Sequence, residues 1–459
     1  MLEANRNKNI KLFTYSEVEQ VKGFVGNYSV VVRKKARYVK DTLCNGCGGC
    51  FKVCPSISAN EFDEGLGPRT AIYRAFAQAV PNLATIDMKS CIKCGLCQTA
   101  CEANAIDFDQ KDELIELNAG VIIVATGWKE YEPETGYLEY NKYENVITQM
   151  KLERMLAPNG PLIGHIKRPS DRTRPKRILF VQCVGSRDLS RNPWCSAGIC
   201  CLISLKNAKL IKSEYPDTEV TIAYIDMRTP GKYYEEYYLR ARQAGVKLIK
   251  SNVTRIIEDK ETKNLKVLLQ DALSDDREVH LYEFDMVVLS AAMVPADGTL
   301  DLANKLRVEL SPDGFFKEYH PRLNTVDTKV PGIMLSGCAQ GPKSISETIM
   351  SAKGAASTAG RLMHNGEYVI DMIIAVSTPE KCSRCGICER TCPVKAIEVR
   401  TEGAIVDEIR CVGCGLCANV CPSGAMSLRY YRDNQYQELI DAFLDPLVAC
   451  EFEESKEEN

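Results

Sequence analysis

Positive charge in excess and long apolar runs are both missing from this 459-residue sequence. Its 58 Lys and Arg residues against 61 Asp and Glu give a net charge of −3. A protein that binds nucleic acid needs positive charge to neutralise phosphates, so no nucleic-acid partner is expected. No apolar run approaches the ~20 residues of a membrane-spanning helix; the longest, 121–126 and 369–376, have the length of strands. No export signal is recognisable either, so a cytoplasmic protein without a membrane span is expected.

Histidine is scarce, whereas cysteine is abundant. The four histidines, His165, His280, His320 and His364, are too few for imidazole-rich metal sites. The 22 cysteines lie in tight clusters, where disulfides between near neighbours would be strained. A secreted disulfide scaffold would also be short and would carry an export signal. Thiolate ligation of metal in a reducing compartment therefore accounts better for these cysteines.

Four repeats of the spacing C-x2-C-x2-C-x3-C are the strongest signal in the sequence. In ferredoxins with two clusters, three closely spaced thiolates hold one [4Fe–4S] cube and the fourth reaches the neighbouring cube. The predicted ligand sets are Cys44, Cys47, Cys50 and Cys101; Cys91, Cys94, Cys97 and Cys54; Cys382, Cys385, Cys388 and Cys421; and Cys411, Cys414, Cys417 and Cys392. Structural zinc usually takes two CxxC pairs rather than four cysteines in each motif, so iron–sulfur clusters are favoured.

Four further cysteines lie between these modules, where a strand is predicted to end and a helix to begin. They are Cys183, Cys195, Cys200 and Cys201. In a nucleotide-binding βαβ unit this turn would carry a glycine-rich phosphate loop, but here cysteines stand in its place. A fifth cube is predicted, with its charge eased by the helix N–H dipoles. From the spacing alone, a zinc site or a redox dithiol remains the alternative.

Two glycine-containing segments are typical of flavin contacts. One ends a buried strand and the other precedes a predicted helix; the predicted contacts are Ala125, Thr126, Gly127, Gly337, Cys338, Ala339, Gln340, Gly341 and Lys343. Small residues allow close approach of the backbone. The helix N-terminus and Lys343 would stabilise the negative charge of a reduced flavin. An ordinary helix N-cap with a solvated lysine is the alternative.

Hydrophobic periodicity predicts the remaining elements. Strands are predicted at 9–15, 28–33, 115–119, 120–127, 178–182, 219–225, 246–249, 285–290 and 332–337, and helices at 73–80, 199–213, 231–245 and 344–362. Residues 128–176 are expected to be connections, and the acidic tail 451–459 to be disordered. Five cubes with four ligands each use 20 cysteines, so Cys338 and Cys450 are interpreted as structural or incidental.

In combination, these motifs resemble one family. The segment Cys183-Val-Gly-Ser-Arg-Asp188, the pair Cys200-Cys201, the segment 337–343 and the two doubled ferredoxin modules look like the iron–sulfur flavoprotein subunit of heterodisulfide reductase. That family occurs in methanogens and some other anaerobes. The resemblance spans nearly the whole chain.

The resemblance implies an α/β fold: a thioredoxin-reductase-like flavoprotein core of two dinucleotide-binding domains, with two bacterial-type 2[4Fe–4S] ferredoxin domains, one inserted and one C-terminal. The implied domains are a remnant of the FAD domain (1–38), the inserted ferredoxin domain (39–110), the continued FAD domain with a connection (111–176), a degenerate NAD-like domain carrying a cluster (177–295), a return to the FAD domain (296–372), the C-terminal ferredoxin domain (373–430) and a tail (431–459).

The resemblance also implies an oxidoreductase component that holds about five [4Fe–4S] clusters and FAD, without a catalytic side chain. Its flavin would split electron pairs from a hydrogenase or formate dehydrogenase partner. One branch would lead to ferredoxin, and the other to the subunits that reduce the coenzyme M–coenzyme B heterodisulfide. A homodimer within a larger complex is expected. A flavin-free, polyferredoxin-like relay is the alternative, whereas an NAD(P)H oxidoreductase is disfavoured because cysteines occupy the place of the phosphate loop.

Two departures from the family pattern stand out. Between Cys195 and Cys200 the family usually has one residue fewer, so the loop 196–199 is expected to bulge. Family members also open with a GxGxxG Rossmann unit, and Met1 aligns with the methionine of their later Thr-Pro-Lys-Met sequence. The hypothesis that follows is a start inside the FAD domain, explained by a misassigned start, by a selenocysteine read as a stop, or by a domain split between two polypeptides.

Overall fold

The computed structural model describes residues 2–270, 272–273, 279–369 and 372–444. Up to residue 130 the elements are α1 (Leu2–Arg6), β1 (Ser16–Phe24), β2 (Asn27–Lys34), α2 (Gly49–Lys52), β3 (Ile57–Ala59), β4 (Pro68–Thr70), β5 (Ile72–Tyr73), β6 (Thr85–Ile86), α3 (Leu96–Thr99), β7 (Glu113–Ala119), β8 (Ile122–Val124) and β9 (Trp128–Glu130). They continue with β10 (Val146–Thr148), α4 (Gln149–Leu156), β11 (Arg177–Val184), α5 (Ile199–Glu214), β12 (Glu219–Tyr224), α6 (Tyr234–Gln243), β13 (Lys247–Lys250), β14 (Val253–Glu258), β15 (Leu265–Gln270), β16 (Val279–Phe284), β17 (Met286–Ala291) and β18 (Met293–Pro295). The last are α7 (Thr299–Leu306), β19 (Ile333–Leu335), α8 (Ile345–Asn365), β20 (Ala375–Ser377), α9 (Ile387–Thr391), β21 (Ile397–Arg400), β22 (Gly403–Val406), α10 (Leu416–Asn419), β23 (Met426–Leu428) and α11 (Asp433–Leu444).

A five-stranded parallel sheet in the order β10-β17-β11-β12-β13 forms the centre of the chain. Strand β11 lies in its middle and is buried along almost its whole length. Such a continuous apolar run is expected of a parallel strand with both faces covered. Ile178 and Phe180 pack with α4 and α5 on one face, and Leu179 and Val181 pack on the other. The predicted α/β class is confirmed.

The second face of this sheet is covered by an antiparallel sheet in the order β14-β15-β16. Alternate residues of β15, Leu265, Val267 and Leu269, are fully buried against the central sheet. This sheet is an addition to the elements that the sequence predicts. The period-two alternation of β15 is the signal that points to it.

The two cysteine-rich modules form separate small units. The first, with α2, α3 and β3 to β6, has its own core that includes Val39, Ile72 and Ile106. The second, with α9, α10 and β20 to β23, shares one core with β2, β8 and β19. Arg410 of the second unit donates to the carbonyl of Gly23 at 2.9 Å, so this unit is held against the sheet β1-β2-β7.

Most of the predicted elements are confirmed to within a few residues, but two are wrong. Residues 9–15 form no strand, and Tyr15 has a left-handed φ of 56°, which interrupts an extended run before β1. Residues 73–80 form no helix. A helix of so few residues does not offset its nucleation cost, and Val80 precedes a proline, which disfavours helical dihedral angles.

Several helices are additional to those predicted. Within 128–176, expected to be connections, α4 follows Thr148, whose hydroxyl accepts from the N–H of Lys151 at 3.4 Å. Helices α7 and α11 are likewise additional. The longest described helix, α8, has 21 residues. In the described part of the chain, none is both long enough and apolar enough to cross a bilayer.

Helix α4 anchors the first cysteine-rich unit to the central sheet. The guanidinium of Arg154 donates to the Oδ1 atom of Asp63 at 2.7 and 3.0 Å, and the two side chains are only 14% and 16% exposed. The same guanidinium lies 4.6 Å from the centre of the Phe62 ring, which stacks on Phe76. A doubly hydrogen-bonded ion pair with a cation–π contact therefore fixes the position of this unit.

We expect Arg154→Ala to release this unit from the sheet. Removal of one partner leaves Asp63 half-desolvated and unpaired, which should cost ~2–4 kcal/mol. Hydrogen exchange of residues 57–70 and thermal unfolding under anaerobic conditions measure the effect. Arg174→Ala is the matched control, because Arg174 pairs with Asp217 where both side chains are exposed and should lose less than ~1 kcal/mol. Equal effects of the two substitutions would contradict the anchoring role.

Candidate cluster-binding sites

In the first unit, the thiols of the two motifs approach one another crosswise. Burial, followed by the thiols of Cys44, Cys101 and Cys47, raises the pKa of Cys50 to about 12. Cys101 belongs to the second motif, yet it lies with the first three cysteines. Burial also raises the pKa of Cys97, with further contributions from Cys91, Cys54 and Cys94. Each group of three thiols is thus completed by a cysteine of the other motif.

The C-terminal unit repeats this arrangement. Burial and the thiols of Cys411, Cys392 and Cys414 raise the pKa of Cys417 to about 11. Burial raises the pKa of Cys388 as well, with contributions from Cys382 and Cys385. A backbone N–H lowers the pKa of Cys385, and the thiol of Cys421 opposes that effect. The structure therefore brings together the same four groups that the spacing predicts as ligand sets.

Backbone N–H groups surround several of these sulfurs. The N–H groups of Lys93, Ala105, Ala375 and Ala396 donate to Cys91, Cys101, Cys411 and Cys392 at 3.2 to 3.4 Å. Hydrogen bonds of this kind stabilise the negative charge of thiolate ligands and tune cluster potentials. The donor chemistry of both units thus fits [4Fe–4S] clusters.

The third candidate site lies at the carboxyl end of β11. Cys183 has a left-handed φ of 62°, and the N–H of Ser186 donates to its carbonyl at 3.2 Å. The turn passes through Gly185, where a Cβ atom would lie 2.1 Å from the ring of Tyr131. Only glycine fits there. This turn directs the chain away from the sheet immediately after Cys183.

Helix α5 supplies two more thiols in its first turn. Its N-cap is Gly198, with φ of 78° and no side-chain capping bond, and a Cβ at this position would lie 2.6 Å from the carbonyl oxygen of Arg228. Cys200 and Cys201 are 3% and 2% exposed. Uncapped N–H groups at a helix N-terminus favour negative charge, and thiolates bound to a metal carry it.

The four central thiols lie close enough to influence one another. Burial raises the pKa of Cys183, with Cys201 and Cys195 adding to the effect and Arg187 opposing it. A hydrogen bond from Cys200 lowers the pKa of Cys201 to about 7, aided by the backbone N–H of Arg228. The pKa of Cys200 rises well above its ordinary value because of the same hydrogen bond and burial. The predicted group of four is thus assembled from a strand end, a loop and a helix start.

The spacing of the donors bears on the zinc alternative. Within residues 2–270, 272–273, 279–369 and 372–444, no three His, Cys, Asp or Glu side chains lie close enough to bind one metal ion together. A cube differs, because each of its thiolates binds a separate iron and the sulfurs stand apart. The arrangement therefore suits a cluster better than a mononuclear zinc site.

The two predicted flavin segments lie side by side. Strands β8 and β19 pair in parallel, and segments 125–127 and 337–341 follow their carboxyl ends. Ala125 and Thr126 are exposed, and Gly337 and Gly341 have φ of 60° and 143°. Beside the second segment, a cavity of about 590 Å³ is lined by Gln340, Lys343, Met350 and Ser351 among others. Parallel strands commonly present ligand sites at this edge.

The start of α8 combines both interpretations of its sequence. Ser344 and Glu347 form a capping box, so the helix N-terminus already has a carboxylate partner. Lys343 is not fully solvated, however, since burial lowers its pKa. The sulfur of Cys338 lies 3.7 Å from the Lys343 carbonyl and outside the four-thiol groups. Cys450 lies outside the described residues.

Two arginines at the central site are additional to the residues predicted from sequence. Arg187 forms part of the Gly-Ser-Arg segment after Cys183, and that proximity is the signal that points to it. Arg228 lies 45 residues beyond Cys183 in the sequence. Only the folding of the loop after β12 brings it to the thiols.

Both cysteine-rich units match known families. A family model described as "4Fe-4S dicluster domain" matches residues 43–105, and a second with the same description matches 381–425, which confirms both ferredoxin domains. Thioredoxin reductase from Lactococcus lactis is a similar solved structure, 16% identical, with 64% of this chain and 86% of that chain covered and a TM-score of 0.36. Family membership follows from the sequence relatives instead.

The relatives cover almost all of this chain. The chain is 50% identical to a CoB–CoM heterodisulfide reductase iron-sulfur subunit of Methanocaldococcus jannaschii, over 97% of this chain and 68% of that protein. It is 47% identical to the corresponding subunit of the H2/formate:CoB-CoM heterodisulfide,ferredoxin reductase of Methanococcus maripaludis, over 98% of this chain and 69% of the relative. Two such relatives, matched over more than two thirds of their length, show the family. The chain belongs to the family of the heterodisulfide reductase iron–sulfur flavoprotein subunit, an oxidoreductase family with 4Fe–4S dicluster domains.

Proposed function

We propose that this chain is the electron-carrying flavoprotein subunit of a heterodisulfide reductase complex. Electron pairs from a hydrogenase or formate dehydrogenase partner would divide at FAD between ferredoxin and the subunits that reduce the CoM–CoB heterodisulfide. Reduction of the disulfide takes two electrons and two protons and gives two thiols. The names of the relatives, which mention hydrogen, formate, ferredoxin and the heterodisulfide, support this assignment.

The observation that carries the proposal is the group of thiols at the end of β11. In a nucleotide-binding domain this turn receives the phosphates of a dinucleotide. Here Cys183, Cys195, Cys200 and Cys201 meet at that place instead. A cluster bound there would make the domain a carrier of single electrons rather than of hydride.

The proposed ligand sets comprise twenty cysteines in five groups of four. Each dicluster domain would hold two clusters with exchanged fourth ligands, and the central site would hold the fifth. When bound, such clusters accept and donate single electrons. The residues of this chain would orient the ligands, exclude water and hold N–H donors at the sulfurs.

FAD is the second proposed cofactor. Its support is the position of 125–127 and 337–341 beside each other at the ends of two parallel strands. Lys343 would offer positive charge to the reduced flavin. We further propose the division into domains at 38, 110, 176, 295, 372 and 430, and a homodimer within a larger complex.

Cys183→Ala should remove one cluster and leave the ferredoxin domains loaded. We expect iron to fall from ~20 to ~16 atoms per chain in fully reconstituted protein. Cys338→Ala is the control, because this thiol lies outside the five groups, and it should retain all the iron. Unchanged iron in the Cys183 variant would refute the central site.

Double substitutions test the crosswise ligation. Cys44→Ala with Cys101→Ala should remove ligands of a single cluster and cost ~4 iron atoms. Cys44→Ala with Cys54→Ala should damage two clusters and cost ~8, although each double variant lacks two cysteines of the same domain. Iron quantification with EPR of the reduced proteins distinguishes the outcomes. The reverse order of losses would show that each motif binds its own cluster.

The flavin proposal is tested by acid release of flavin from anaerobically purified protein. We expect about one FAD per chain. Lys343→Met should lower the flavin midpoint potential because a partly buried cation is lost, whereas Lys353→Met, on the exposed side of α8, should not. Absence of flavin from iron-loaded protein would favour a flavin-free relay instead.

A further inference from the structure

Two arginines and one aspartate flank the central thiols without belonging to the ligand set. The Nη1 atom of Arg187 lies 3.9 Å from Oδ2 of Asp226, and the Nε atom of Arg228 lies 3.4 Å from the same oxygen. The side chain of Arg187 is 22% exposed, whereas those of Arg228 and Asp226 are 46% and 56% exposed. One carboxylate is therefore shared between two cations, and a positive charge remains.

The backbone places Arg187 beside two of the thiols. It follows the turn that begins at Cys183, and its N–H donates to the carbonyl of Trp194 at 3.1 Å, next to Cys195. Its φ is 56°, a left-handed value that this turn imposes on a non-glycine residue. Its Nη1 atom is buried and has no hydrogen-bond partner among the described residues. The guanidinium is thus held at the site rather than released to solvent.

Arg228 approaches from the opposite side. Its carbonyl packs against Gly198 at the N-cap of α5, so its backbone borders the helix turn that carries Cys200 and Cys201. Its backbone N–H donates toward Cys201, and its guanidinium donates toward Cys195. Between them, the two arginines reach three of the four central thiols.

The ferredoxin units differ in this respect. The largest influences on Cys50, Cys97 and Cys417 are burial, backbone N–H groups and neighbouring thiols, with no arginine among them. A cluster that gains an electron gains negative charge, and nearby cations stabilise that form. A partly buried cation acts more strongly than an exposed one, which salt screens.

We propose that Arg187 and Arg228 raise the reduction potential of the central cluster and that Asp226 moderates them. The arginines are positioning and charge residues rather than ligands. Their effect would make the central cluster a better electron acceptor than its cysteines alone would, so that electrons leave the flavin toward it. This inference rests on the proposed function, in that it requires a cluster at Cys183–Cys201.

The test is an anaerobic redox titration of the full chain, followed by EPR. The signal of the central cluster is identified as the one that Cys183→Ala removes. At the wild-type midpoint, Arg187→Gln should lower the ratio of reduced to oxidised cluster about tenfold, which is ~59 mV for one electron. Arg228→Gln should lower it less, and its effect should shrink at high salt. Asp226→Asn should raise the ratio.

Two controls separate charge from structure. Arg187→Lys keeps the charge and should keep most of the potential. Arg174→Gln removes an exposed arginine that pairs with Asp217, just before the start of β11, and should leave the ratio unchanged. If Arg187→Gln does not retain iron, the exposed Arg228 and Asp226 variants decide.

The outcomes for the two proposals are distinct. A wild-type protein without the Cys183-dependent signal overturns the proposed cluster itself. A wild-type protein with that signal, but with the same midpoint in Arg228→Gln, Asp226→Asn and every iron-retaining Arg187 variant, overturns the role of the charges and leaves the cluster intact.

Discussion

The burial of thiols at the carboxyl end of β11 is the constraint on which the central domain depends. Negative charge held by ligands in a protein interior is costly unless hydrogen bonds and cations surround it. The fold meets this requirement with an uncapped helix start at Gly198, a tight turn at Gly185 and two arginines. Each of these features needs a backbone geometry that the parallel sheet and its helices provide.

The ferredoxin units meet the same requirement by a different route. Short helices such as α2, α3, α9 and α10 begin at left-handed glycines and present consecutive cysteines around one point. Backbone N–H groups rather than arginine side chains then satisfy the sulfurs. The first unit is tied to α4 by Arg154 and Asp63, and the second shares its core with β2, β8 and β19. Both are therefore packed onto the rest of the fold rather than loosely tethered to it.

Sequence reasoning succeeds where the signal is covalent spacing or strong periodicity. The motif C-x2-C-x2-C-x3-C, the buried strand 178–182 and the long helix from 345 are all local patterns. It fails where a local preference is weak: residues 9–15 alternate like a strand, yet Tyr15 turns the chain, and 73–80 lacks the length for a helix. Helix α4 escapes notice because it is short and lies among prolines and charged residues, although its N-cap at Thr148 supports it.

The sequence by itself determines the type of ligand, the grouping of the ferredoxin cysteines and the α/β class, because thiolate chemistry and side-chain periodicity are local properties. Tertiary structure alone decides which charges face the central thiols. Arg228 and Asp226 follow β12, whereas Cys183 ends β11 and Cys200 opens α5. These residues meet because parallel strands carry their carboxyl ends to the same edge of the sheet. No pattern of spacing reveals that meeting, since it depends on strand order rather than on distance along the chain.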